Sequence, residues 1–256
     1  MKTLRIVFRL GFLIGLAIAM PGMPTAAQTT SPEEAHPPAP GLRKLTGEDE
    51  KQAKKLDEQI EQAMKADRWD EAIARADELV ALRTRAQGPK HFETVDAEWR
   101  KKTLRRVAPM PHDERAAYQS TRTMFRQANA LTYQGKYAQA EPLVEHALEI
   151  CRRLLTDDHP DTAIGYDNVA TILDAQGKYA AAQALFAKVL EIRHRLLTDE
   201  HPSTARSFHS LAVNLWRQGK YAEAEPLFKQ ALEIRRRLLT DDHPDTALRA
   251  IPLNEA

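Results

Sequence analysis

"QGKYAQAEPLVEHALEI" starts at Gln134, "QGKYAAAQALFAKVLEI" at Gln176 and "QGKYAEAEPLFKQALEI" at Gln218, so nearly the same stretch returns every 42 residues. Each return carries two helical patterns. Around the middle stretch the first is "TAIGYDNVATILDAQG", with Tyr166, Val169, Ala170 and Leu173 on one stripe. The second is "KYAAAQALFAKVLEIRHRLL", with Ala182, Leu185, Phe186, Val189, Leu190 and Ile192. Spacings of three and four residues give each helix a single broad apolar face. Gly135, Gly177 and Gly219 stand where the first helix must end, because glycine tolerates the left-handed cap conformation. The stretches "LTDDHPDTA", "LTDEHPSTA" and "LTDDHPDTA" then place Pro160, Pro202 and Pro244 at the start of a following helix, where a fixed φ costs nothing. A helix pair repeated at constant period cannot bury its stripe alone and is covered by its neighbours, so the pattern predicts a solenoid.

Small residues recur where the paired helices must approach: Ala128, Ala170 and Ala212 on the first helix, Ala140, Ala182 and Ala224 on the second. Tyr137, Tyr179 and Tyr221 recur at the turn. On these residues the chain resembles the tetratricopeptide repeat family, in the 42-residue form of kinesin light chains and many bacterial proteins. The resemblance implies an all-α fold, a right-handed α–α superhelical solenoid of helix pairs. Repeats are expected over 112–160, 161–202 and 203–246. A degenerate copy is expected over 47–111, with Trp69 in the place of the turn tyrosine and Ala72 in that of Ala140. Trp69 lies 22 residues before His91, as Tyr137 lies 22 before His159. The additional "DAEWRKKTLRRV" reads as a helix extension, and Trp69 and Trp99 as a cover for that end of the array.

The flanks have a different composition. Lys2, Arg5 and Arg9 precede the apolar run Leu10–Met20, and small residues follow at Thr25–Ala27. Residues 1–27 therefore read as a signal peptide cleaved near Ala27, and the chain as exported, periplasmic or secreted, with no stable membrane span after cleavage. Residues 28–46, with Pro32, Pro37, Pro38 and Pro40, read as an extended linker. Residues 247–256 form a truncated tail in which Pro252 interrupts the next first helix. The last helix pair is thus expected to be partly uncovered, either for self-association through the C-terminal repeat or because the sequence is the front of something longer.

Catalytic chemistry finds no foothold. "QGKY" lacks the glycines of a phosphate loop, and paired cysteines and a HExxH helix are absent from the sequence. Cys151 aligns with Arg193 and Arg235 and reads as a solvated helix position. The "DDH" and "DEH" triplets read as helix starts, which favour acids. The clusters "CRR", "RHR" and "RRR" at 151–153, 193–195 and 235–237 fall in last turns, where cations suit the dipole and the following acids. Basic and acidic residues number 37 and 36, a balance that calls for no nucleic acid. No cofactor and no metal is implied.

What remains is the concave surface of first helices, a groove suited to an extended peptide or partner helix. Its non-core positions vary between copies, giving Asn129 and Tyr133 in one, Asp167, Asn168 and Asp174 in the next, and His209, Trp216 and Arg217 in the last. Trp216 stands where Thr132 and Asp174 stand in the other copies, so packing does not demand it. Some members of the family hold a carboxylate terminus with a five-residue clamp. That resemblance assigns Asn129, Asn168 and Arg206 to clamp positions, while Phe125 and Ser210 depart from it. Kinesin light chains read acidic, aromatic peptides. The reading is a non-enzymatic scaffold for a protein or peptide ligand. The alternatives are a regulatory front part of a larger enzyme, such as a caspase-like CHAT peptidase, and a self-assembly module.

Overall fold

The computed structural model describes residues 43–238. The expected signal peptide, most of the linker and the tail from 239 onward lie outside them. Among the described residues there are nine helices and no strand: α1 (Gly47–Lys65), α2 (Trp69–Gln87), α3 (Phe92–Val107), α4 (His112–Tyr133), α5 (Tyr137–Leu155), α6 (Pro160–Ala175), α7 (Tyr179–Leu196), α8 (Pro202–Arg217) and α9 (Tyr221–Leu238). Each of α4–α9 packs on its neighbour in sequence, so the pairs α4/α5, α6/α7 and α8/α9 stack as an all-α solenoid, with α1/α2 forming another pair before them.

The turns repeat because the sequence does. Gly135, Gly177 and Gly219 have φ of 72°, 77° and 76°. The following lysine N–H in each case reaches back to a carbonyl of the preceding helix, Lys136 to Leu131, Lys178 to Leu173 and Lys220 to Leu215, closing the helix end. Between paired helices Ala128, Ala140, Ala170, Ala182, Ala212 and Ala224 are essentially fully buried. Nothing larger than a methyl group fits where the backbones meet.

At Gly165 two successive pairs approach closely. A Cβ built there would lie 2.9 Å from Leu148 Cδ1 and 3.3 Å from Leu148 Cα on α5. Gly165→Ala gains up to about 1 kcal/mol of helix propensity but forces α5 and α6 apart, at about 1–3 kcal/mol for overpacking. A net loss of stability of about 1 kcal/mol is expected in urea denaturation, against the gain that alanine gives at an uncrowded helical glycine.

The second halves of the repeats depart from the sequence reading in one respect. Cys151 is fully buried and Arg193 is 2% exposed, so this helix position faces inward. It opposes an in-phase residue of the first helix. Phe125 and Cys151 share an apolar cluster. In the next repeat Asp167 and Arg193 form an ion pair at 3.0 Å, and in the last His209 lies near Arg235, whose charge together with burial lowers the imidazole pKa. Burial also pushes the Cys151 thiol up to about 12, which removes it as a nucleophile. The other basic residues of the clusters do meet acids: Arg152 with Asp157 at 2.7 Å, Arg195 with Asp158 at 2.5 Å and His194 with Asp199 at 3.1 Å.

The histidines of the two described "HP" stretches, His159 and His201, are helix caps. His159 and His201 accept the backbone N–H of Asp161 and Ser203 on Nδ1, both at 3.1 Å, and His91 does the same for Glu93 at 3.3 Å. Nδ1 sits at the same reach from the backbone as the capping oxygen of asparagine, so it satisfies one of the orphan N–H groups of a helix start.

The segment "DAEWRKKTLRRV" is a separate helix rather than an extension. Gly88, at φ 96°, and Pro89 end α2, and α3 begins after the His91 cap. Trp69 is buried in the core shared by α1 and α2. Trp99, by contrast, does not cover the end of the array. Its indole N–H donates to the Leu196 carbonyl at 3.0 Å, and its ring meets His159 edge-on at 5.6 Å.

Candidate functional site

Helix α3 runs across the turns that join successive pairs. Asp96 Oδ1 lies 3.1 Å from His201 Nε2, Thr103 Oγ1 lies 3.0 Å from His159 Nε2, and Arg106 Nε donates to the Leu154 carbonyl at 2.7 Å. Asp96 and Thr103 are seven residues apart, about 10.5 Å along a helix, so α3 presents one polar group to each of two successive capping histidines. With Nδ1 occupied as an acceptor, the neutral ring carries its proton on Nε2 and points it at α3.

Between α3 and the N-terminal halves of α4, α6 and α8 lies a cavity of about 440 Å³. Trp99, Leu104, Phe125 and Ile164 line it, with Tyr118 donating its hydroxyl to Asp161 at 2.9 Å. Burial and the adjacent Asp161 carboxylate hold the Tyr118 hydroxyl well above its usual pKa, so it stays a donor.

Three lining residues are in phase. Arg122 on α4, Ile164 on α6 and Arg206 on α8 are separated by 42 residues each time, and all three face the cavity. The two arginine side chains are more than half exposed, at 53% and 57%. Each is the second arginine on an oxygen already engaged. Glu61 Oε1 accepts from both Arg100 and Arg122. Asp167 Oδ2 accepts from Arg193 at 3.0 Å and from Arg206 at 3.3 Å. A guanidinium has five N–H donors, so each arginine has donors beyond the one on the shared oxygen. The row reads cation, aliphatic, cation.

Of the nine residues singled out in the sequence, only Arg206 lines this cavity. Asp167 is buried and tied to Arg193 and Arg206. Asp174 is buried too, accepting from Asn214 Nδ2 at 2.8 Å and pairing with Arg217. These carboxylates join consecutive repeats and are not available to an incoming cation. Asn129 and Tyr133 are exposed on α4. Asn168 is half-buried, and its amide nitrogen is enclosed without an acceptor among the described residues. His209 meets the Phe228 ring edge-on at 5.5 Å. Trp216, 39% exposed, lies 6.3 Å from the Tyr221 ring at the far end of α8. The structure thus ties Asp167 to the cavity-lining Arg206, and brings Asp174, Trp216 and Arg217 to the opposite end of the helices. Arg122 and Ile164 escaped the sequence reading, although the 42-residue phase of Arg206 leads to both.

The family model described as tetratricopeptide repeat matches residues 120–193, 166–237 and 203–250, together just over half of the chain. The chain belongs to the tetratricopeptide repeat family. No curated protein matches its sequence. Among solved structures, BtubC (BKLC) from P. vanneervenii is similar at 19% identity and a TM-score of 0.48, over 77% of this chain and 78% of that one. A putative kinesin light chain from Podosopora anserina, with nearly identical repeats, is similar at 20% identity and a TM-score of 0.40, over 79% and 82%. A glutamine-to-methionine variant of that protein is similar at 21% identity and a TM-score of 0.40, over 82% of both chains. As a tetratricopeptide repeat protein the chain is a protein-interaction scaffold in the general sense that the fold supports.

Proposed function

We propose that this scaffold is exported by its N-terminal leader, is not itself an enzyme, and captures a partner through a peptide segment laid across α4, α6 and α8. The observation that carries the reading is the in-phase row Arg122–Ile164–Arg206 facing the walled cavity. The matching ligand carries carboxylates on either side of an apolar residue. Each carboxylate replaces a half-satisfied guanidinium contact with a charge-assisted pair, and the apolar side chain covers Ile164. Helix α3 contributes by excluding water from one side of the cavity, which strengthens those pairs.

The test is fluorescence anisotropy with labelled peptides in which two glutamates flank a leucine at varied spacing, against glutamine and lysine counterparts. The glutamate peptides are expected to bind best, with affinity falling as salt rises. Replacing Arg122 and Arg206 together by serine is expected to weaken that binding by about 30-fold or more, the scale of arginine hot spots, with the helical circular dichroism retained. Equal binding of the glutamine peptides, or an unchanged affinity in the double variant, would reject the site.

A further inference from the structure

Three kinds of contact join α3 to the turns between pairs, and each is made twice. The rings of Phe92 and Trp99 meet those of His201 and His159 edge-on, at 6.0 and 5.6 Å. Asp96 and Thr103 face Nε2 of the same two histidines. Thr103 spends its own proton on the Trp99 carbonyl at 2.8 Å, which leaves its oxygen to accept. Trp99 Nε1 and Arg106 Nε donate to the carbonyls of Leu196 and Leu154. Within each kind the two contacts lie seven residues apart on α3 and 42 apart in the array. Seven residues are about 10.5 Å of helix, so one heptad of α3 spans one step from turn to turn.

Those two turns carry two members of the row that faces the cavity. Ile164 and Arg206 each stand five residues after a capping histidine, His159 and His201. The third member, Arg122 on α4, is tied to α3 through Glu61, which also accepts from Arg100. Arg100 falls between Asp96 and Thr103. Different residues of one helix thus hold α8, α4 and α6. A helix keeps its length because changing the rise would break its hydrogen-bond ladder, whereas packed helices slide past one another in small shears.

We infer that α3 is a ruler: it fixes the spacing of Arg122, Ile164 and Arg206, and through it the spacing of carboxylates that the site accepts. The inference rests on the reading of that row as a peptide site. Asp96 and Trp99 are positioning residues in it, acting on the ligand only through the turn that starts α8. With that turn pinned, Arg206 waits where the second carboxylate of one peptide arrives. A peptide of another spacing leaves one charge-assisted pair unmade. With the turn released, Arg206 follows either peptide, and selectivity is lost together with the affinity that preorganisation gives.

The variant that tests this carries Asp96→Ala with Trp99→Phe, which removes the acceptor and the indole donor but keeps a ring against His159. Double electron–electron resonance between nitroxides on Arg126→Cys and Arg206→Cys reads the spacing of α4 and α8 without any ligand. Arg126 is exposed, Asp167 keeps Arg193 when Arg206 is replaced, and Cys151 is buried away from the label. A narrow distance distribution is expected with Asp96 and Trp99 in place, and a broader or shifted one in the variant. An unchanged distribution overturns the inference. Anisotropy with the glutamate–leucine–glutamate peptides reads the consequence. The wild type is expected to favour its best spacing about tenfold or more over one residue longer or shorter, the worth of one charge-assisted contact. In the variant the same peptides are expected to fall within about threefold of one another. A folding defect lowers all the affinities together and leaves their order, so an order that survives in the variant also overturns the inference. A wild type that binds none of these peptides rejects the peptide site and with it the choice of spacing, while the distance distribution still decides whether α3 fixes the row.

Discussion

Asp167→Ala is expected to destabilise the protein by about 3–5 kcal/mol, the cost of leaving a buried charge without its partner. Arg193 is 2% exposed and burial already lowers its pKa against the opposing pull of Asp167. With that carboxylate removed, Nη1 still finds Ser203 O and Ser207 Oγ, which satisfies hydrogen bonding but not the charge. The preceding repeat shows how the same space is filled without ions, with Phe125 and Cys151 in one apolar cluster. The double variant Asp167→Phe with Arg193→Cys copies that solution. Exchanging a buried ion pair for packed apolar groups is commonly neutral or stabilising, so the double variant is expected within about 1–2 kcal/mol of the wild type. Urea denaturation followed by circular dichroism measures both. A double variant as unstable as the single one would mean that the ion pair, and not merely its balance, holds these repeats together.

His159→Ala removes three things together: the cap on Asp161 N–H, the Nε2 contact with Thr103 and the edge-on contact with Trp99. A lost cap and a lost buried hydrogen bond cost about 1 kcal/mol each, and the ring contact brings the expected loss to about 2–3 kcal/mol. The pH dependence follows from the same group. Burial, with a smaller contribution from the Arg106 charge, lowers the His159 pKa, and Asp161 only partly opposes them. The unfolded chain therefore takes up this proton at a higher pH than the folded one. The stabilisation is complete above the ordinary histidine value near 6.5 and is lost as pH falls through the lower, folded-state value. His159→Asn keeps a capping acceptor that does not titrate. It is expected to flatten the decline in melting temperature between neutral and mildly acidic pH while costing less than alanine. An equal decline in His159→Asn would place the acid sensitivity elsewhere.

The repeat was legible because its cause is local. Apolar spacing, turn glycines and helix-start prolines act within one helix pair, and recurrence every 42 residues shows that each pair uses the same solution. The all-α solenoid and the places of α4–α9 follow from those residues alone. The individual fate of each polar side chain did not follow. Asp167 and Asp174 look like groove contacts in sequence because they vary between copies, yet both are buried against arginines 26 and 43 residues away. Position 151 looks solvated because its counterparts are arginines, although Arg193 is buried too. Whether a charge faces water depends on what the neighbouring pair brings to it, and that is a property of the stack.

Helix α3 makes the same distinction. Its helical character and its start at the His91 cap are local features. Its position across the His159 and His201 caps depends on a turn at Gly88 and Pro89 and on contacts with residues up to 105 positions away. No periodicity announces those contacts. The sequence by itself determined that helix pairs would stack, since each apolar stripe needs the next to cover it. Only the tertiary structure decided which polar residues close the seams between pairs and which line the cavity beneath α3, because burial is set by neighbours that are distant in the chain.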